Sequence, residues 1–300
     1  MSWRGRIGWI LAAMAFMAPA SSGADTLYAA TVRTSAGANE GISGSLYTVN
    51  LGSGSATFIA PLRLDGRTPV GVTGLAAHPT TGIMYGITSQ LSGNSPGSLV
   101  TIDPNTGNAT LVGDLRFPGS DIAFNKAGIL FTWLPPTSQL GIVNLTTGAV
   151  TPIGAAGTAG TIAGLAIDLH GTAFITPSGA GGTLDVVDIA SGAIKKGPQL
   201  NGAPFASNIN SMTFTPSGLL LAVNSNAGSP ASTALVQINT ATGVVNKIGT
   251  LPDDTDALAF VSTQFRNEPL ITGQTLALLV LGVIALILGI IGWAVGRRAK

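Results

Sequence analysis

An all-β fold, in which five short four-stranded sheets close into a ring, is predicted by three features of this 300-residue chain: a unit repeated five times, punctuation of each unit by Gly, Pro and Asn into short β-rich runs, and partial units at the two ends that add up to one. The first half of the unit steps from an aliphatic residue and an Asp or Asn into a small-residue Gly turn. It reads Val49-Asn50-Leu51-Gly52-Ser53-Gly54, Ile102-Asp103-Pro104-Asn105-Thr106-Gly107, Val143-Asn144-Leu145-Thr146-Thr147-Gly148, Val187-Asp188-Ile189-Ala190-Ser191-Gly192 and Ile238-Asn239-Thr240-Ala241-Thr242-Gly243. The second half centres on Leu75-Ala76, Ile122-Ala123, Leu165-Ala166, Met212-Thr213 and Leu258-Ala259, four of these closing in Gly82, Gly128, Gly171 and Gly218. Spacings of 41, 44 and 51 residues between Gly107, Gly148, Gly192 and Gly243 are those of a propeller blade.

The stretch Val72–Leu115 shows the unit best, with runs at Val72–Ala77, Ile83–Thr88, Ser98–Ile102 and Ala109–Val112. Gly in the turns between them accepts positive φ, and the Asp or Asn bonds the backbone two residues on. That capping explains the column Asn50, Asp103, Asn144, Asp188 and Asn239 without any functional role. Complete blades are expected at 70–115, 119–154, 162–197 and 209–250. Residues 26–60 supply only the last three strands of a blade, and Asp256–Val261 only a first strand. Pairing the two ends yields a fifth blade and removes the exposed edges of an open array, so a five-bladed β-propeller over residues 25–261 is predicted. Its tight Gly turns and both of its ends share one face of the disk. Connections of variable length share the other, and variable loops on a rigid scaffold are where binding usually resides.

Beyond this domain the sequence has two hydrophobic ends. Residues 1–24 read as a secretory signal, with Arg4 and Arg6 before the apolar stretch Ile7–Met17 and small residues after it. Residues 262–273 form a linker. Residues 274–296 are predicted as a transmembrane helix, because Leu276–Val295 carries no charge over 20 residues. The basic tail 297–300, with Arg297, Arg298 and Lys300, is expected to stay cytoplasmic. The domain is therefore expected to be exported and held at the cell envelope by a single span. Of 14 Lys and Arg, five lie in the two ends, leaving 9 against 13 acids for residues 25–271, a balance of −4. That balance does not suggest a nucleic-acid partner. With no Cys, disulfides and thiolate chemistry are excluded.

Little else in the chain points to chemistry. His78 and His170 each sit by a turn, with no second ligand at metal spacing, and neither lies near a nucleophile elbow. No catalytic residue, metal or cofactor is predicted. Two readings stand for Asp121 and Asp256, which begin first strands at the channel mouth with Asn210 and Ser211 in matching places. They are either an acid/base pair of a glycoside hydrolase or strand-end caps holding channel water. Two readings also stand for Trp133. Together with Arg63, Arg67, Arg116, Phe117 and Phe205 on variable-face connections it makes a recognition patch for a protein or polysaccharide, or it fills the gap between blades.

The unit Ser98-Leu99-Val100-Thr101-Ile102-Asp103-Pro104-Asn105-Thr106-Gly107-Asn108-Ala109-Thr110-Leu111-Val112-Gly113 resembles the blades of exported bacterial and archaeal β-propellers of the Leu-Tyr-x-Ile-Asp-x-x-Thr-Gly type. The resemblance covers residues 26–261 and implies the fold; such propellers serve many roles. Asn267-Glu268-Pro269, followed by an apolar run and Arg297-Arg298, resembles the sorting tail recognised by exosortases, whose hallmark is Pro-Glu-Pro, with Asn267 in place of the first Pro. Together these readings lead to an expected non-enzymatic, surface-displayed propeller that mediates binding or builds envelope or extracellular-matrix structure, with a propeller glycoside hydrolase using Asp121 and Asp256 as the alternative.

Overall fold

In a computed structural model, residues 25–32, 44–90, 92–157, 163–177, 182–206, 208–226 and 232–261 are described. The signal 1–24, the linker 262–273, the predicted span 274–296, the tail 297–300 and the sorting-signal resemblance at 267–269 lie outside them. Among the described residues no helix is long and apolar enough to cross a membrane.

The β-rich runs become strands whose alternate residues pack on opposite neighbours. The chain opens with β1 (Thr26–Thr31), β2 (Ser45–Val49) and β3 (Ala56–Pro61), and a small hairpin follows, β4 (Arg63–Leu64) and β5 (Thr68–Pro69). The second blade is β6 (Val72–Ala77), β7 (Met84–Thr88), β8 (Ser98–Ile102) and β9 (Asn108–Asp114). The third is β10 (Ile122–Phe124), β11 (Leu130–Leu134), β12 (Gln139–Val143) and β13 (Val150–Ile153). The fourth is β14 (Ala163–Ile167), β15 (Ala173–Pro177), β16 (Asp185–Val187) and β17 (Ile194–Lys195), and the fifth is β18 (Ile209–Phe214), β19 (Leu220–Asn226), β20 (Ser232–Ile238) and β21 (Val245–Leu251). Last, β22 (Thr255–Val261) pairs antiparallel with β1, from Thr26 opposite Val261 to Thr31 opposite Thr255, giving the sheet order β22-β1-β2-β3. The two ends of the domain thus make the first blade together. The ring has five blades, as the sequence predicts.

A period of two sends successive residues of one strand to different blades. In β22, Ala257, Ala259 and Val261 enter the core between the first and second blades, while Leu258 enters the core between the fifth and first. Ile122 and the next residue, Ala123, divide in the same way between the second and fourth blades. Among the described residues five apolar clusters therefore occupy five seams.

The rim repeats one contact at every seam. Each outer strand runs out against the Gly turn of the next blade: Pro61 against Gly107, Gly113 against Gly148, Gly154 against Gly192, Gln199 against Gly243, and Gly249 back to Gly54. A Cβ at Gly54 would lie 2.6 Å from the Gly249 Cα, which is why glycine ends the first half of the motif. The Asp/Asn column caps these turns. Asn144 Oδ1 accepts the Thr146 and Thr147 N–H at 2.8 and 3.0 Å, and Asp188 and Asn239 do likewise. These donors, foremost the Ser191 N–H, hold the Asp188 carboxyl below its ordinary value.

Candidate functional site

The inner strands β22, β6, β10, β14 and β18 each have one edge paired and one edge facing the axis. Axis-facing N–H groups cannot join a ladder, so something else must satisfy them. Near the variable-loop face that partner is Asp121. Its side chain is fully buried, and its carboxylate accepts the Leu165 and Met212 N–H on Oδ2 at 2.9 and 3.0 Å and the Ile122 N–H on Oδ1 at 2.9 Å. Ser211 Oγ donates to Oδ1 at 3.2 Å and itself accepts the Leu258 N–H at 3.0 Å. One carboxylate thereby joins three inner strands directly and a fourth through Ser211. Burial pushes the Asp121 carboxyl well above its ordinary value, against the downward pull of Leu165, Met212, Ile122 and Ser211.

Gly74 and Gly164 occupy the matching place in β6 and β14, and Gly74 leaves the room for it. A Cβ on Gly74 would lie 3.0 Å from the Asp121 Cα.

One layer outward the inner strands bulge. In β6, β18 and β22 the pairing skips Thr73, Asn210 and Asp256, and an unpaired residue of this kind is re-aimed away from the sheet. The three side chains meet: Thr73 Oγ1 donates to Asp256 Oδ2 at 2.5 Å, Asn210 hydrogen-bonds the same carboxyl, and Asn210 Nδ2 donates to Ser225 Oγ at 2.6 Å. Thr73 also reaches the Ser120 carbonyl at 3.4 Å. Asp256 is partly buried. Loss of hydration raises its carboxyl to about 7, Thr73 and Asn210 pull it down, and nearby Asp254 adds to the rise.

The sequence-derived trio Asp121, Asn210 and Asp256 thus falls at one end of the axis, in two layers. Thr73 and Ser211 complete it. Thr73 goes unmarked in a reading by motif, yet it stands two places before Leu75 as Asn210 and Asp256 stand before Met212 and Leu258, so aligning the inner strands would have exposed it.

The six proposed patch residues are not assembled. Trp133 is buried between the third and fourth blades with Phe131, Leu165 and Ile175, so the gap-filling reading replaces the recognition anchor. Phe205 packs on the core of the fourth and fifth blades. Arg63 and Arg67 belong to the β4–β5 hairpin, which adds in parallel to β9 at Asn108, and Arg63 donates to the Arg67 carbonyl at 3.2 Å. Arg116 lies beyond the other end of β9, with Phe117 beside it, roughly 20 Å along the strand at about 3.3 Å per residue. The segment 61–72, read as an open variable connection, is in part sheet.

The opposite end of the axis is apolar. Phe124, Ile167, Phe214, Phe260 and Ala77 line a funnel of about 360 Å³ that opens on the tight-turn face, with Met212 toward its floor. His78 is a turn residue here. Its Nδ1 accepts the Thr80 and Thr81 N–H at 3.3 Å each, its ring meets Phe124 edge-on at 5.0 Å, and burial holds its pKa below the ordinary value. Asn125 and Asp168 cap the equivalent turns, and His170 is exposed in the latter. Among the described residues no three His, Asp or Glu side chains converge as for a metal.

No family model matches the chain, and no curated protein matches it. Among solved structures it is similar to a chain of a nidogen/laminin complex, with 11% identity over 80% of this chain and 99% of that one and a TM-score of 0.53. A protein of unknown function from Bacteroides caccae matches over 79% of this chain and 99% of its own, at 11% identity and a TM-score of 0.49. The first likeness shows the fold, a β-propeller, and nothing finer.

Proposed function

We propose that the protein is a non-enzymatic propeller displayed at the cell surface, exported by residues 1–24 and held by the span 274–296, which binds a protein or polysaccharide partner or builds envelope structure through its variable-loop face. The observation that carries this reading is the engagement of Asp121. All of its bonds go to the inner strands and none of its surface reaches water, so it is spent on holding the blades together. The glycoside-hydrolase alternative pairs Asp121 with Asp256 as the two carboxyl groups flanking a sugar, and the buried, fully bonded Asp121 is withdrawn from that pair. At the variable-loop end, where Asp121 fills the axis, the ring of blades offers a face rather than a cleft. In the nidogen/laminin complex a chain of similar fold belongs to a protein complex, which fits a binding role here.

Two measurements test the proposal. Incubated with a panel of polysaccharides, the protein is expected to release no reducing ends; release abolished by D256N would establish the hydrolase reading instead. In intact cells, S95C is expected to react with an impermeant maleimide and A299C is not. A mature mass lacking Leu276–Lys300 would replace the permanent anchor with the sorting-tail resemblance.

A further inference from the structure

The two faces of the disk differ in what they expose. Ile83, Ile129, Leu169 and Leu219 lie in the turns that follow four inner strands, and Leu51 lies in a Gly turn of the first blade; each is 41–55% exposed. Leu51 and Leu219 line one depression, and Leu169 lines the mouth of the apolar funnel. On the variable connections the large exposed apolar residue, among the described residues, is Phe117; the others sit on outer or third strands, save Val244 in the Gly turn before β21. Turn chemistry does not ask for these aliphatics. It needs the glycines at positive φ, present as Gly82, Gly128, Gly171 and Gly218, and the caps at His78, Asn125, Asp168 and Thr215. The residue after the Gly is free to be polar, and in the fourth blade it is Thr172. Exposed apolar side chains gathered on one face mark an interaction surface.

The course of the chain says which surface covers them. Val261 ends β22 at the funnel mouth, and the charge-free run Leu276–Val295 begins after a short linker. Twelve linker residues reach at most about 40 Å. We infer that the tight-turn face rests on the lipid bilayer, with Ile83, Ile129, Leu169, Leu219 and Leu51 in the interfacial layer and exposed Lys126 among the headgroups. This rests on the proposed span for its proximity and on the aliphatic crown for its contact. Asp25, Asp168 and His170, with the turn caps Asp103 and Asp188, lie on the same side and set a limit on depth.

The chain has no Cys, so single-Cys variants at Ile83, Ile129, Leu169, Leu219 and, on the other face, Asn94 can carry an environment-sensitive fluorophore in the full chain. In nanodiscs of phosphatidylcholine with phosphatidylglycerol, the four turn positions should be blue-shifted and quenched by lipids carrying a nitroxide near the headgroup, and Asn94 should not. Co-elution with the disc reads the span separately. A chain that co-elutes while its turn labels stay water-like keeps the span and overturns the resting face. A chain that does not co-elute loses the span; the inference then requires sedimentation with vesicles of the same lipids, lowered roughly tenfold by the paired change I129D and L169D. Failure to sediment overturns it, as does shielding of the turns in cells but not in nanodiscs, which would assign the crown to a protein.

Discussion

The ring is stitched twice, at the rim and at the axis, by opposite strategies. At the rim the same contact between an outer strand and the next Gly turn recurs at five seams. At the axis a single carboxylate, that of Asp121, gathers three inner strands and, through Ser211, a fourth. A repeated contact distributes its loss: one rim seam can fail while four hold. A unique contact concentrates it, because every donor that Asp121 satisfies is buried and no equivalent residue stands in another blade. Asp256, one layer out, has the same side chain but joins Thr73 and Asn210 at a mouth that water reaches. It is the member of the pair free to change charge.

The severest way to break the comparison is to take away a whole inner strand and with it the closure of the ring. A chain ending at Thr255 loses β22, its ladder with β1 and the Leu258 N–H that Ser211 accepts. It should lose cooperative unfolding of the whole domain; a calorimetric transition like that of the intact protein would show that closure is not needed. Breaking the axis alone comes next. D121A leaves three backbone N–H groups and a hydroxyl without their acceptor, and at about 1–3 kcal/mol for each unsatisfied buried group the loss should be about 3 kcal/mol or more by denaturant titration. D121N should cost nearly as much, since its amide N–H₂ would face donors. An Asn variant close to wild type would mean that shape, and not the four acceptor bonds, carries the role.

Breaking one rim seam should cost less. At Gly148, φ is +76°, and an added Cβ would collide with the Gly113 carbonyl. G148A should destabilise by about 1–3 kcal/mol from left-handed backbone strain and overpacking, with no change in pH response. A loss as large as that of D121A would erase the distinction between repeated and unique stitching.

The smallest effect at mildly acid pH, and the sharpest test of Asp256, is linkage. Its carboxyl rises from the ordinary 3.8 to about 7 on folding, so the native state holds this proton more tightly than the unfolded chain. Stability should be full below about pH 4 and fall as pH climbs through 7. A shift of about 3 units corresponds to about 4 kcal/mol at most, less with water at the mouth. D256N should flatten that slope while leaving stability at pH 4 nearly unchanged. Any decline that remains in the variant belongs to Asp121, whose carboxyl burial also raises. An unchanged slope would remove Asp256 from the account.

What the sequence by itself determined is everything that repeats: the number of blades, the capped Gly turns, the role of Asp256–Val261 in closing the ring, and the small residue that ends each motif. Repetition is legible because one local rule, a turn that needs positive φ or a strand with period two, writes the same residues five times. The tertiary structure alone decided what occurs once. Trp133 reads as either an anchor or a filler between blades until its neighbours bury it, and Arg63 as a loop residue until β4 finds β9. Asp121 and Asp256 carry equal weight in sequence, as two acids at strand starts. Only the assembled ring sets one against three donors from other blades and the other at a water-facing mouth, because those donors come from residues up to 91 positions away and no local pattern encodes their convergence.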